Sequence, residues 1–578
     1  MKLPLSWLKE YVDFDDTVEG FSDKLTFSGI EVEGIETVGL DNDQVIVGEV
    51  RKVEKHPDAD KLTVCTVFDG QEEHQVVCGA PNARAGIKSA FAPVGTTLSG
   101  DFKIKKAKLR GVASFGMLCA ADELGLSEDH EGIMELDDEA VPGTPLAEML
   151  GPPEIVFDLE ITPNRPDCLS IIGVAREVAA LYGTALKKPP VEFNESSPPA
   201  GERTRVMVED TDACPRYMAR VIDGVQVGPA PEWMQKRLSL AGIRPINNLV
   251  DITNYVLLES GHPLHAFDLT TLAEERIVVR RAKAKEKMTT LDGIERTLDK
   301  EVLVIADDKH PVALAGIMGG EGSGIDEGTT TVLLESAYFD PSLIRTTSKR
   351  YELRSESSYR FERGTDIENV DWASRRVAAL MAELAGGQVA EGNVDCYTPT
   401  ETSREINCRW QRVRDLVGVE VTDDTIRSVF DALELSTSNI NETGCTVHIP
   451  SFRGDLQREV DLVEEFARIH GLDRIPTPAP CGTLVLDADD PHARAVSSLR
   501  DVLVGLGLNE IINYSLVSRE TLDTFDPVHE EVRIALPNPV SQDVNPSFII
   551  HEDAAEGSYQ VDLEFRVDHA LDEVVIEA

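Results

Sequence analysis

Residues 44–82 read QVIVGEVRKVEKHPDADKLTVCTVFDGQEEHQVVCGAPN. Val45, Val47 and Glu49 alternate with Ile46, Gly48 and Val50, the period of two that sends successive side chains to opposite faces of a strand. Pro57-Asp58 predicts a turn, and Lys61–Phe68 predicts a second strand. Asp69-Gly70 is a hairpin signal ahead of a third strand at Gln75–Cys78. Ala80 to Ala83 predict another turn, and strands around Ser89–Ala92 and Phe102–Leu109 bring the set to about five. Short strands joined by tight turns suit an OB-type barrel.

The last of these strands carries charge. Lys103, Lys105, Lys106, Lys108 and Arg110 lie within eight residues with no acid among them. In an extended strand Lys106, Lys108 and Arg110 share one face, a stripe suited to phosphates. A solvated basic edge strand is the plainer reading. The stripe stands out because the chain as a whole is strongly acidic, with a net charge of −47, which by itself argues against a nucleic-acid partner.

Outside the barrel, 578 residues exceed what one core usually serves, so about three to five domains are expected. No apolar run approaches the ~18 residues of a membrane span, and the N-terminus lacks the apolar stretch of a signal peptide. None of the nine cysteines forms a CxxC pair, so neither a zinc site nor a disulfide framework is indicated, and the cytoplasm is the expected compartment. Residues 1–39 predict a small mixed segment with helical spacing at Leu5, Leu8 and Val12. Residues 154–183 predict a strand, a Pro-Asn-Arg-Pro turn and a helix through Ile171, Val174, Val178 and Leu181. The Pro-rich stretch 188–201 reads as a linker, followed by an α/β body over 205–398 and a smaller α/β segment over 402–477. In the latter, Asp461, Glu464 and Glu465 fall at i, i+3 and i+4 on one helical face, where like charges repel by a few tenths of a kcal/mol. A hard divalent cation such as Mg²⁺ would relieve that repulsion, with Asp455 reaching back from near the helix start. A solvated acidic face is the plainer alternative.

HPDADKL (56–62), VCGAPNARAG, KIKKAKLRG and SFGMLCAADELGL together resemble the tRNA-binding OB module of bacterial phenylalanyl-tRNA synthetase β subunits. SWLKEYV and FDLEITPNRPDCLSIIGVAREVAALYG flank it as they do in that family. The resemblance extends, in the family's order, to about residue 545. It implies an N-terminal domain of residues 1–39 plus 148–190, interrupted by the tRNA-binding barrel at 40–147. An editing domain at 205–398 and a small interface domain at 402–477 would follow. Last would come an incomplete, non-catalytic domain of synthetase fold at 480–578, carried by ARAVSSLRDVLVGLGLNEIINYSLVS and IALPNPVSQDV. After NPVSQDV the family pattern is lost, which implies a C-terminally truncated or frameshifted member.

By the same resemblance, the blocks RPINNLVDITNYVLLESGHPLHAFD, ALAGIMGG, TVLLESAYFDP and RSESSYRFERG build a site that hydrolyses mischarged Tyr-tRNA(Phe). A phenylalanine pocket rejects an added hydroxyl poorly, which is why a second site is needed. Glu335 would accept the tyrosine hydroxyl, His265 would place water or the terminal ribose, and Thr253 and Asn254 would line the cavity. Ser355 and Ser357 fall where the family has small pocket residues, often Thr and Ala. Ala315, Gly316, Gly319 and Gly320 would admit close backbone approach. Asp455, Asp461, Glu464 and Glu465 would hold Mg²⁺ at the contact with an α subunit, which carries the ATP site, in an (αβ)₂ assembly. Lys103, Lys105, Lys106, Lys108 and Arg110 would face tRNA. The rival readings are a stand-alone tRNA-binding or editing protein, or an inactive fragment.

Overall fold

The computed structural model describes residues 1–40, 42–98, 102–126, 131–399, 404–479, 482, 490–512 and 518–525, and the strands Arg533–Ala535, Ser547–Ile549 and Phe565–Val567. It divides into a unit of residues 1–477 and a unit of residues 478–578.

The first unit begins with a three-stranded antiparallel sheet. Lys2–Pro4 and Glu31–Val38 both pair with Glu154–Glu160, so the chain leaves this sheet and returns more than a hundred residues later. The helix Ile171–Tyr182 packs on it; the Ser170 hydroxyl accepts from Gly173 N–H at its N-terminus and Gly183 ends it in the left-handed region. The intervening residues form the expected small β-body. Its strand order is Gly116–Leu118, Lys88–Pro93, Ile46–Lys55, Thr63–Phe68, Glu73–Cys78. The sheet curls until Phe115 N–H reaches Gln75 O (2.8 Å), which nearly closes it.

The central body is two sheets back to back. One runs Glu195–Ser196, Gln388–Ala390, Arg216–Asp223, Thr331–Tyr338, Leu264–Asp268. The other runs Arg205–Val208, Arg276–Arg281, Leu303–Ala306, Pro311–Leu314, Met318–Gly319. Strand Thr331–Tyr338 is buried on both sides, which accounts for the consecutive apolar residues Val332, Leu333 and Leu334. Val332 and Leu334 join the helices Asn248–Ser260 and Asn369–Leu384, while Leu333 and Ala337 join the second sheet. The expected linker at 188–201 is stitched in: Glu195–Ser196 extends the sheet beside Gln388–Ala390, and Ala200 is buried. Its backbone finds partners on an open sheet edge, which the Pro-rich composition did not reveal.

Residues 404–470 form a three-stranded sheet, Arg404–Arg409, Gly444–Ile449, Thr437–Asn441, under the helices Trp410–Val417, Asp423–Ala432 and Glu459–His470. In the second unit the helix Pro491–Gly505 precedes the strand Leu508–Glu510, which pairs with Phe565–Val567. Most of the IALPNPVSQDV block lies outside the described residues. Among the described residues no helix is long and apolar enough to cross a membrane.

Candidate active site and nucleic-acid interface

Glu335 interrupts an apolar strand, and its side chain points toward the second sheet. Its register partners are Ala219 on one side and His265 on the other, so Glu335 and His265 share a face of the sheet. Glu335 is 5% exposed and has no cation against it among the described residues. Burial raises its carboxyl to about pH 8, opposed only by the Tyr217 hydroxyl, which donates to Oε2 at 2.7 Å. His265 stacks edge-on against Phe267 (4.4 Å between centroids), and its Nε2 is enclosed without a hydrogen-bond partner. Burial lowers the imidazole to about 4 and keeps it neutral. The arrangement is a neutral carboxyl beside a neutral imidazole, able to recognise a hydroxyl and to orient water without a competing ion pair.

The backbone is closely packed at the glycines of this segment, and a Cβ on Gly320 would lie 2.6 Å from Val312 O. A Cβ on Gly319 would lie 2.8 Å from His265 Cε1, so the strand Met318–Gly319 approaches the imidazole as only glycine permits. Gly316 has φ +66° and faces Phe339 and Phe361. Ser355 caps the helix Glu356–Phe361, accepting from Ser358 N–H, and donates its own hydroxyl to Ile317 O (2.8 Å). It therefore ties the helix to the loop that leads into Met318–Gly319. Thr253 and Asn254 are not brought to the pair. They sit on the helix Asn248–Ser260, which packs on the opposite face of the sheet, and the Thr253 hydroxyl donates back to Val250 O (2.7 Å).

The basic side chains of this stretch are all exposed, but it is not one strand. Phe102–Lys103 pairs with Thr97–Leu98, Ile104 turns inward, and Ala107–Leu109 pairs with Val112–Ser114 in a separate hairpin. Arg110 sits in the turn at φ 41°. The single alternating stripe of Lys106, Lys108 and Arg110 is thereby broken, because the strand spans only Ala107–Leu109 and Arg110 lies in the turn that follows it. Lys103, Lys105, Lys106, Lys108 and Arg110 remain solvent-facing, and Lys106 lies over the Phe115 ring (4.5 Å). A groove of about 500 Å³ runs beside them, lined among others by Phe102, Lys105, Leu109 and Met117.

The acidic set behaves differently from its sequence reading. Both Asp455 oxygens accept from Arg453 (2.9 Å each). Glu465, 4% exposed, accepts from Arg453 Nη1 (2.6 Å) and Arg468 Nε (2.8 Å). Burial would raise its pKa, but the two guanidinium groups outweigh burial and lower it to about 2. Asp461 turns back on its own helix start, accepting from Gln457 N–H and Arg458 N–H at 2.9 and 2.7 Å. Glu464 is exposed. Among the described residues no three of these four carboxylates bring their oxygens together at one point. The physical reason is a buried ladder the spacing could not show. Arg468 also binds Glu177, and Arg165 joins Glu177 (2.6 Å) to Asp167 (2.8 Å), so Asp455 and Glu465 connect to the helix Ile171–Tyr182. Tyr217 and Glu177 carry no sequence signal of their own, because their partners Glu335 and Arg468 are remote in the chain; Arg453 and Arg468 lie two residues from Asp455 and three from Glu465, a local signal that the acidic spacing alone passed over.

Four family models match in chain order: a tRNA binding domain over residues 45–145, a B3/4 domain over 213–386, a tRNA synthetase B5 domain over 406–472, and a phenylalanyl tRNA synthetase beta chain CLM domain over 475–545. These define the modules of an aminoacyl-tRNA synthetase subunit. The chain is 48% identical to the phenylalanine–tRNA ligase beta subunit of Syntrophotalea carbinolica, over 94% of this chain and 68% of that protein. It is 46% identical to its counterpart in Geobacter metallireducens, over the same shares. It belongs to the phenylalanine–tRNA ligase β-subunit family. An N-terminal fragment of the phenylalanyl-tRNA synthetase beta-subunit from Pyrococcus horikoshii aligns over 81% of this chain and 99% of its own at 14% identity, with a TM-score of 0.37 too low to carry an argument.

Proposed function

We propose that the chain works as the β subunit of a cytoplasmic phenylalanine–tRNA ligase, binds tRNA, and hydrolyses tyrosine wrongly esterified to tRNA(Phe). The editing domain would span 205–398, after an OB-type barrel at 40–147 inserted in an N-terminal domain of residues 1–39 plus 148–190. A small interface domain at 402–477 and a catalytic-like domain from 480 onward would complete it. The ligation of phenylalanine, with its ATP, would sit on an α subunit in an (αβ)₂ assembly, with Mg²⁺ held by Asp455, Asp461, Glu464 and Glu465 at the contact between the subunits.

The observation that carries the editing reading is Glu335, a buried carboxyl with no cation that already accepts a phenol hydroxyl at 2.7 Å. A tyrosine side chain presents the same chemistry; a phenylalanine ring would leave the buried carboxyl unsatisfied, which sites of this kind penalise strongly. Hydrolysis breaks the ester C–O bond: water supplies hydroxide to the tyrosyl carbonyl carbon and a proton to the ribose oxygen. His265, neutral and facing the same side of the sheet, would orient that water. The exposed lysines of residues 103–108 and the adjacent groove would contact tRNA phosphates.

The test is release of tyrosine from Tyr-tRNA(Phe) by the full chain. Glu335→Ala is expected to slow it about 10- to 100-fold, the worth of one buried hydrogen bond to the substrate. Unchanged release by both Glu335→Ala and His265→Ala would reject the reading.

A further inference from the structure

We propose that Tyr217 is a positioning residue for Glu335: its hydroxyl holds one carboxyl oxygen so that the other is presented to the phenolic hydroxyl of an incoming tyrosyl ester. This rests on the editing reading above. Tyr217 lies on the central strand Arg216–Asp223, opposite Ala337 and two residues from Ala219, the direct partner of Glu335. It is 0% exposed, so its hydroxyl has no water to turn to. Among the described residues its bond to Oε2 is the one hydrogen bond that the Glu335 carboxyl makes. The other oxygen has no partner and, unlike His265 Nε2, is not sealed from solvent.

The terminal torsion of a glutamate is broad, so an untethered carboxyl in this cavity would sample many planes. A single strong hydrogen bond from a rigid, fully packed ring selects one. It also assigns the two oxygens different tasks. When the carboxyl is neutral, Oε2 accepts from Tyr217 and the free oxygen carries the proton, which it can donate to the substrate phenol oxygen. When it is ionised, the same free oxygen accepts the phenol proton. In both states the recognition point is fixed by Tyr217. The other titratable groups around the pair are His265 on the neighbouring strand, Cys214 just before the Tyr217 strand, and Cys396 on Val394–Tyr397.

Tyr217→Phe removes one oxygen and keeps the ring, so the core packing is retained. With the full chain, expected results are about a tenfold rise in KM for Tyr-tRNA(Phe) hydrolysis, the scale of one hydrogen bond, with a smaller change in kcat. The selectivity for Tyr-tRNA over Phe-tRNA should fall in step. The acid–base midpoint assigned to Glu335 should move up, because the bond from Tyr217 is what lowers it. A merely structural tyrosine would change none of these at constant melting temperature. Wild-type KM, selectivity and pH profile in Tyr217→Phe, with hydrolysis lost in Glu335→Gln, would overturn the inference and leave the editing reading standing. Wild-type hydrolysis in Glu335→Gln would overturn both.

Discussion

Glu335 and Glu465 are two glutamates buried to nearly the same degree, 5% and 4% exposed, in opposite electrostatic states. Glu335 meets a hydroxyl and a neutral imidazole, and burial raises its pKa to about 8. Glu465 is gripped by Arg453 and Arg468, which lower its pKa to about 2 against the effect of burial. Depth of burial therefore does not decide the role of a buried carboxyl. The neighbouring cations do: with them the group is an ionised structural strut, without them it is neutral and available to a ligand.

The largest effect that can break this comparison is loss of a strut. Glu465→Ala leaves Arg453 and Arg468 buried beside an empty site and should destabilise the first unit by about 3–5 kcal/mol in urea unfolding. A stability-neutral variant with lost Mg²⁺ binding would instead restore the metal-ligand role.

Stability against pH should differ in sign for the two. Glu465 has a lowered folded pKa, so its contribution is present above about 4.5 and is lost as pH falls toward 2. Glu335 has a raised folded pKa, so its contribution is complete below about 4.5 and is lost as pH rises through 8, with a slope of at most about 1.4 kcal/mol per pH unit. Comparing wild type with Glu335→Gln in unfolding at pH 5 and pH 8 isolates it: the variant should gain relative stability at the higher pH. His265 acts in another window: its lowered pKa means stability is lost as pH falls from about 6.5 to about 4.

Gly319→Ala sharpens the active-site half. A methyl placed 2.8 Å from His265 Cε1 must displace the imidazole, at a cost of about 1–3 kcal/mol. Tyrosine release should drop more than stability does, and a variant with wild-type release would remove His265 from the site. The smallest effect is expected at Glu464. It is exposed, so Glu464→Gln should change stability by less than about 0.5 kcal/mol. A loss as large as that of Glu465→Ala would mean that the acidic face is a single cooperative cluster after all.

Local pattern made most of the architecture legible. Alternation located the strand Ile46–Lys55, and the turn signals at Pro57-Asp58 and Asp69-Gly70 located the strands Thr63–Phe68 and Glu73–Cys78 of the nearly closed sheet. The apolar spacing of Ile171, Val174 and Val178 located the helix Ile171–Tyr182. Short strands such as Lys2–Pro4 and Glu195–Ser196 were not legible, since they exist only through remote partners. The basic stretch was found but its geometry was not, because it is divided between two short hairpins with Arg110 in a turn, which charge alone does not report.

The same division runs through the candidate site. The order of the modules and the cluster of lysines were legible in the sequence alone, and resemblance singled out His265 and Glu335, which antiparallel register sets side by side. Only the tertiary structure decided which carboxylates are free. Glu465 at helical spacing and Asp455 near the helix start read as acidic candidates, and Arg453, Arg468 and, through Arg468, Glu177 draw them into a buried ladder. Nothing in the local sequence marks Tyr217, whose hydroxyl folding places on Glu335. Spacing along a chain reports which residues share a face. The charge state of a buried group depends on what arrives from elsewhere in the chain, because in a medium of low dielectric a single cation or its absence shifts the balance by several kcal/mol.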